Sequence, residues 1–240
     1  GEDTLSLHDS LPIYYQFALK LIKKNQSGGL SSDEFTFHWN DAQNSYMDDM
    51  LGRFQARNNG KTGANTGLIE DQTILQKLAP FTKPVTISIV QGIVTKPDDF
   101  IYRLALRISN GIDGVVDLYK INPGQVATVL ADVIDPPSII NNKFYFVEYE
   151  NYYYLLPLNL PTQAVSTVTL DYIITPPNVI WGFDFDADGR QVYNQGLSVQ
   201  PLWDNNSCRE ITKRMLNNIG VSFKDKDFEN FGKNVQLTGE

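Results

Sequence analysis

The hydrophobic period of this chain changes at Pro84, and nothing else in the sequence constrains its fold as strongly. Upstream, apolar residues recur at threes and fours. Phe35, Trp39, Ala42, Tyr46, Met50 and Phe54 make one stripe along a helix predicted from about Ser32 to Asn58, with Ser31 and Glu34 at capping-box spacing. An earlier helix, IYYQFALKLIKKN, places Tyr14, Phe17, Ala18, Leu21 and Ile22 on one face, and Ser27-Gly28-Gly29 ends it. A polar loop from Asn58 to Gly67 leads to a third helix, about Leu68 to Ala79, stopped by Pro80.

Downstream the pattern is that of strands. VTISIVQGIV is β-branched and bounded by prolines. Tyr102, Leu104, Leu106 and Ile108 alternate with Arg103, Ala105, Arg107 and Ser109, which predicts a half-buried strand with both arginines outward. GVVDLYKIN reads as another strand and PGQVATVLAD as a short helix with Pro123 in its first turn. KFYFVEY and NYYYLLP read as a hairpin turning at Glu150-Asn151, and Val168, Leu170, Tyr172 and Ile174 as one more alternating strand. A last helix carries Cys208, Ile211, Met215 and Ile219, with a capping box at Ser207 and Glu210 and a stop at Gly220. The expected class is α+β, with N-terminal helices and a C-terminal helix packed together around a central antiparallel β-sheet or small β-sandwich insertion. The expected parts are residues 14–83 with helix 204–220, a β-rich domain over 84–203, and a polar tail over 221–240.

Residues 1–13 stand apart. TLSLHDSLPI (Thr4 to Ile13) is similar to TLSLHDALPI, one reading frame of a sequencing adapter, from which it differs only at Ser10. Pro12 falls where a helical stripe would build. The expectation is that this segment is not native and that the protein proper begins at Tyr14, which also removes His8 from the functional census.

Composition narrows the chemistry. Net charge is −8, which disfavours a general affinity for nucleic acid or anionic membrane. No apolar run approaches the roughly 18 residues of a membrane helix. One cysteine, Cys208, and two histidines, His8 and His38, leave little for a disulfide framework, a zinc site or a catalytic triad. Asp48-Asp49 and Asp98-Asp99 are adjacent in sequence, which supplies neither a converging pocket nor separated pKa values. No catalytic residue and no cofactor are assigned.

DFDADG is the one motif with metal chemistry. Asp184, Asp186 and Asp188, with Gly189 at the sixth position, match the start of a calcium loop. Position twelve is Gln195, which cannot supply the bidentate carboxylate, and the flanks read as strands. An acidic turn is the preferred reading, so no metal is assigned, and a calcium turn is the alternative. Tyr152, Tyr153 and Tyr154 beside Phe144, Tyr145 and Phe146 read as core and subunit-interface aromatics in preference to a ligand platform.

The order of segments resembles a family of virion structural proteins of tailed bacteriophages, the crAss-like and related phages of Bacteroidota. The resemblance runs through DEFTFHWNDAQNSYMDDMLGRF, LAPFTKPV, KPDDFIYRLALRIS, TLDYIITPPNVIW and LSVQPLWDNNSCREITKRMLNNIGVSFKDKDFENFG. It implies a non-enzymatic ring or adaptor in the head-to-tail connector below the portal. The implied partners are copies of itself in a cyclic ring (a dodecamer), the portal protein and adjacent tail or ring proteins. Genomic DNA would pass through the channel without specific recognition, with no membrane involved. The implied location is the virion, after synthesis in the bacterial host cytoplasm. The competing expectation is a β-sandwich module binding a ligand or host surface, with a calcium-stabilised turn.

Overall fold

The computed structural model describes residues 10–24, 30–58, 67–109, 114–138, 141–157 and 167–220. The expectations for residues 1–9, for Ser27 to Gly29, for most of the Asn58–Gly67 loop and for the 221–240 tail lie outside these. The fold is α+β, and the chain divides into two compact units, Gly1–Pro80 with Pro176–Glu240, and Phe81–Thr175.

In the first unit, α1 (Ser10–Lys24) buries Tyr14, Phe17, Ala18, Leu21 and Ile22 as the stripe predicts. It starts at Ser10 rather than Ile13, and Leu11 is fully buried. Pro12 does not break it, because a proline in the first turn removes an N–H that has no intrahelical acceptor anyway. The Leu11 N–H, likewise without an acceptor inside the helix, donates to Gln200 Oε1 at 3.2 Å. Helix α2 (Ser32–Asn58) begins with the expected box: Glu34 N–H donates to Ser31 Oγ at 3.2 Å, and Ser31 N–H to Glu34 Oε2 at 2.9 Å. Its stripe is buried from Phe35 to Met50, joined by Met47 and Leu51. Helix α3 (Gly67–Leu78) follows.

The second unit is a small β-sandwich. Strands β1 (Thr82–Ser88), β3 (Phe100–Ser109), β4 (Val115–Asp117) and β8 (Thr167–Ile174) form one antiparallel sheet in the order β1-β8-β3-β4. Strands β2 (Ile93–Thr95), β5 (Tyr119–Ile121), β6 (Tyr145–Glu148) and β7 (Tyr152–Leu156) form the other, in the order β2-β7-β6-β5, with β5 parallel to β6. Leu106, Ile108, Val168, Leu170 and Tyr172 of the first sheet pack against Val94, Phe146, Tyr153 and Leu155 of the second. The chain changes sheets twice where the sequence reads as one strand. Gln91 and Gly92, at φ 51° and 76°, turn tightly between Val90 and Ile93 and carry β1 into β2. GVVDLYKIN divides at Leu118, whose N–H donates to Leu106 O at 2.9 Å while the next N–H, of Tyr119, donates to Phe144 O at 3.0 Å. A 3-10 turn at Pro123–Gln125 and α4 (Val126–Leu130) set Val126 and Val129 against Val147, Tyr154 and Leu156 on the other face of the second sheet.

One outward assignment is corrected. Pairing shifts between Arg103 and Ala105, so β3 carries an irregularity that changes its alternation. Arg107 stays outward, paired with Asp171. Arg103 turns inward and lies over the Phe146 ring at 4.6 Å.

After β8 the chain returns to the first unit at Pro176, not at residue 204 as the sequence suggests. It adds the hairpin β9 (Phe183–Phe185) and β10 (Gln191–Tyr193), then α5 (Asn205–Asn218). The cap of α5 is Asp204, which accepts from Ser207 N–H at 3.3 Å. Ser207, expected as the cap, is instead fully buried in the first turn. Gly220, at φ 83°, ends the helix.

Candidate functional site

The polar run Asn40-Asp41-Ala42-Gln43-Asn44 lies midway along α2, and its function in the fold becomes clear from the extended segment Pro176–Trp181. Asn40 Nδ2 donates to Val179 O at 2.9 Å, and Val179 N–H donates to Asn40 Oδ1 at 2.8 Å. The side-chain amide thus imitates a strand neighbour for one residue. One turn further on, Gln43 Nε2 donates to Pro177 O at 3.1 Å, while Gln43 Oε1 accepts from the Trp203 indole at 3.2 Å. One turn earlier, Thr36 Oγ1 accepts from Trp181 N–H at 3.3 Å. Residues 36, 40 and 43 share one helix face by their spacing, so they read the backbone of a segment that pairs with another strand only at the Ile180–Val199 bridge.

Below this clamp α2 holds α5. The Tyr46 and Ser207 hydroxyls are 3.1 Å apart, and Lys77 Nζ donates to Tyr46 Oη at 3.1 Å. Arg214 reaches Asp49 Oδ2 at 2.7 Å and covers the Tyr46 ring at 5.2 Å. Burial pushes the Asp49 carboxyl up, but hydrogen bonds from Arg214 and Arg53 outweigh that and hold it below the usual carboxylate range. Asp49 is therefore a structural anion. Its neighbour Asp48 is exposed, as expected for a solvated helix face.

Beside the clamp, α2 borders an open groove of about 500 Å³ lined by Asp33, Phe37, Asp41, Asn44 and Asn178 together with the clamp residues Thr36 and Asn40. Phe37 is 69% exposed, and its ring meets that of His38 edge-on at 5.3 Å. The only carboxylates in this lining are Asp33 and Asp41, and Asn218 donates to Asp41 Oδ2 at 3.1 Å.

The acidic turn joins β9 to β10. Asp186 Oδ1 accepts from Asp188 N–H at 2.9 Å and from Arg190 N–H at 2.8 Å, and Gly189 N–H donates to Asp186 O at 3.0 Å. Asp184 accepts from the Asn194 side chain. Asp186 thus organises its own turn, as aspartate does in tight loops. Among the described residues no group of three or more acidic, histidine or cysteine side chains is gathered to hold a metal ion. The turn also belongs to the helical unit, which separates it from the sandwich of the competing expectation.

The aromatic run alternates as a strand must. Tyr153 is fully buried between the sheets, where its ring meets Phe146 edge-on at 5.5 Å, and Tyr154 packs on the opposite face. Tyr149 and Tyr152 stack at 4.8 Å beside the hairpin turn. Close by, Lys96 is only 10% exposed. Its ammonium lies 4.7 Å from the Phe100 ring and 4.9 Å from the Tyr153 ring, and 3.1 Å from Glu148 Oε1. Asp99 accepts from Tyr172 Oη at 2.8 Å and from Lys83 Nζ at 3.1 Å, at the strand-opening turn where Phe100 N–H donates to Pro97 O.

The run 40–44 lies inside the stretch DEFTFHWNDAQNSYMDDMLGRF that carries the resemblance, but the sequence gives no target for it. Neither Thr36 nor the backbone of 176–181 is legible in the sequence, because a segment holding two prolines and no period gives no sign of what will bind it. No family model matches this chain, and no curated protein matches it.

Proposed function

We propose that this chain is a non-enzymatic structural protein of a tailed-phage virion, a ring or adaptor of the head-to-tail connector below the portal. The observation that carries the reading is the use made of α2. Thr36, Asn40, Gln43, Tyr46 and Asp49 of this helix are bonded to other parts of their own unit. That is the economy of a frame built to hold its shape under assembly forces. A net charge of −8 suits a channel wall past which DNA slides without adhering. Copies of the chain close into a cyclic ring, a dodecamer by the resemblance, and stack on the portal and neighbouring tail proteins. The protein is made in the host cytoplasm and ends in the virion; among the described residues no helix is long and apolar enough to cross a membrane. Sedimentation velocity and cryo-electron microscopy, with and without purified portal, test this. A closed ring alone or on the portal is expected, and a monomer indifferent to the portal overturns the reading.

A further inference from the structure

Phe35, Trp39 and Tyr46 of α2 are buried, whereas Phe37 stands in the open groove beside the clamp. Asp33, Phe37, Asp41 and Asn44 follow one another at spacings of four, four and three, so they make one continuous row on the helix. The row is about 16 Å long at the rise of an α-helix. Asn178 joins it from the segment that α2 clamps. The half-buried members of the lining, Thr36 and Asn40, are bonded to the backbone of Trp181 and Val179, which holds the floor still. The side chains of Asp33, Asn44 and Asn178 are exposed and make no hydrogen bond or ion pair among the described residues. An exposed ring therefore sits among three uncommitted polar groups on a rigid base.

The chemistry of that lining selects the ligand. The face of the Phe37 ring is electron-rich and attracts polarised C–H groups. Asp33 accepts hydrogen bonds only, while Asn44 and Asn178 each donate and accept. Among the described residues that line the groove none is lysine or arginine, so nothing there pairs with phosphate, sulfate or an acidic sugar. A cation would suit Asp33 but leave the donors of both amides unmatched, and a single ring makes no aromatic cage. A neutral chain of sugars meets every group, with C–H faces for the ring, hydroxyl donors for the carboxylate, and both donors and acceptors for the amides. We propose that the α2 groove binds a neutral oligosaccharide, with Phe37 as its stacking platform and Asp33, Asn44 and Asn178 as its hydrogen-bonding partners. A volume of about 500 Å³ is that of a small-molecule site, and the open, linear form admits a chain that continues past either end. Every lining residue belongs to the helical unit. The inference goes beyond the ring reading and does not depend on it.

The test passes the labelled full chain over an array of neutral and acidic oligosaccharides, and titrates the strongest ligand by calorimetry. Binding to neutral glycans in preference to acidic ones is expected. Phe37→Ala should weaken it about tenfold, the scale of one lost aromatic contact. Asn44→Ala should weaken it as well. Both variants should melt with the wild type, because both side chains are exposed. Phe37→Trp keeps a ring in place and should keep the affinity. An array that binds no neutral glycan, or only acidic ones, overturns the proposal, and so does an affinity that Phe37→Ala leaves unchanged. Hexalysine is the cationic arm. If it binds, loses affinity in Phe37→Ala and finds no neutral glycan as competitor, the groove is a cation site and the proposal is wrong. Sedimentation velocity on the same samples scores the ring reading separately, by mass.

Discussion

At the scale of single residues, Glu148 is one place where pH acts on the sandwich. It accepts from Lys96 Nζ at 3.1 Å and from Lys120 Nζ at 2.6 Å. Burial alone raises its pKa, yet the hydrogen bonds from the two lysines outweigh that and hold it below the usual glutamate range. A depressed carboxyl contributes stability that is complete above its unfolded value, near 4.3–4.5, and is lost as pH falls through the folded value. Glu148→Gln is therefore expected to cost about 3 kcal/mol at pH 7, the low end for stranding a buried charge, because Lys96 stays buried without its carboxylate. Urea unfolding across pH 3–7 checks this, and the gap from wild type must close toward the acid end. Tyr153 tests the opposite case. Its hydroxyl is buried with no hydrogen-bond partner among the described residues, and burial raises its pKa. Tyr153→Phe should stabilise by up to about 1–2 kcal/mol, since an unsatisfied hydroxyl is removed without a cavity; a lower urea midpoint would show a partner of real worth. Neither role is legible in sequence. Lys96 reads only as the residue before Pro97, and its aromatic surroundings come from β3 and β7.

At the scale of elements, periodicity predicted the type of almost every segment, because burying one face of a helix or strand fixes its repeat. What it missed was every event decided by a neighbour. The bulge in β3 turned Arg103 inward against the pattern, and Leu118 moved the chain between sheets inside an unbroken β-branched run. All four side chains of the sequence DNNS could accept for the first turn of α5; Asp204 is the cap, and the Ser207 hydroxyl meets that of Tyr46 instead. The clamp on residues 177–181 is the largest such omission, since Asn40 and Val179 lie 139 positions apart. Its worth is measurable. Asn40→Ala leaves both the N–H and the carbonyl of Val179 without their half-buried partner, so a loss of about 1–3 kcal/mol is expected in equilibrium urea unfolding. Asp48→Ala, on the solvated face of the same helix and away from 177–181, is the control and should stay within about 0.5 kcal/mol.

At the scale of the whole molecule, the order helices, strands, helix was legible and the point of return was not. Strands β9 and β10 look like any others in sequence, so they were grouped with the sandwich, whereas the helical unit already reclaims the chain at Pro176 through α2. The register explains how a sandwich of about a hundred residues can interrupt a helical unit. Thr82 pairs with Ile173 on neighbouring antiparallel strands, so the chain enters and leaves the second unit side by side. Paired residues there are about 4.5–5.5 Å apart between Cα atoms, a gap that a few residues bridge. Each unit has its own buried core, one closed between the two sheets and one among α1, α2 and α5. Two consequences follow for separated pieces. A fragment of residues 81–175 should unfold in one cooperative urea transition, with the near-ultraviolet signal of its packed tyrosines lost at the same midpoint as its secondary structure. A chain in which 81–175 is replaced by a four-residue Gly-Ser linker should keep a helical circular-dichroism spectrum, because the α2 clamp on residues 177–181 survives the excision intact. A fragment that binds hydrophobic dye without a cooperative transition, together with a linker chain that has lost its helices, would mean that neither core suffices alone and that the insertion reading is wrong.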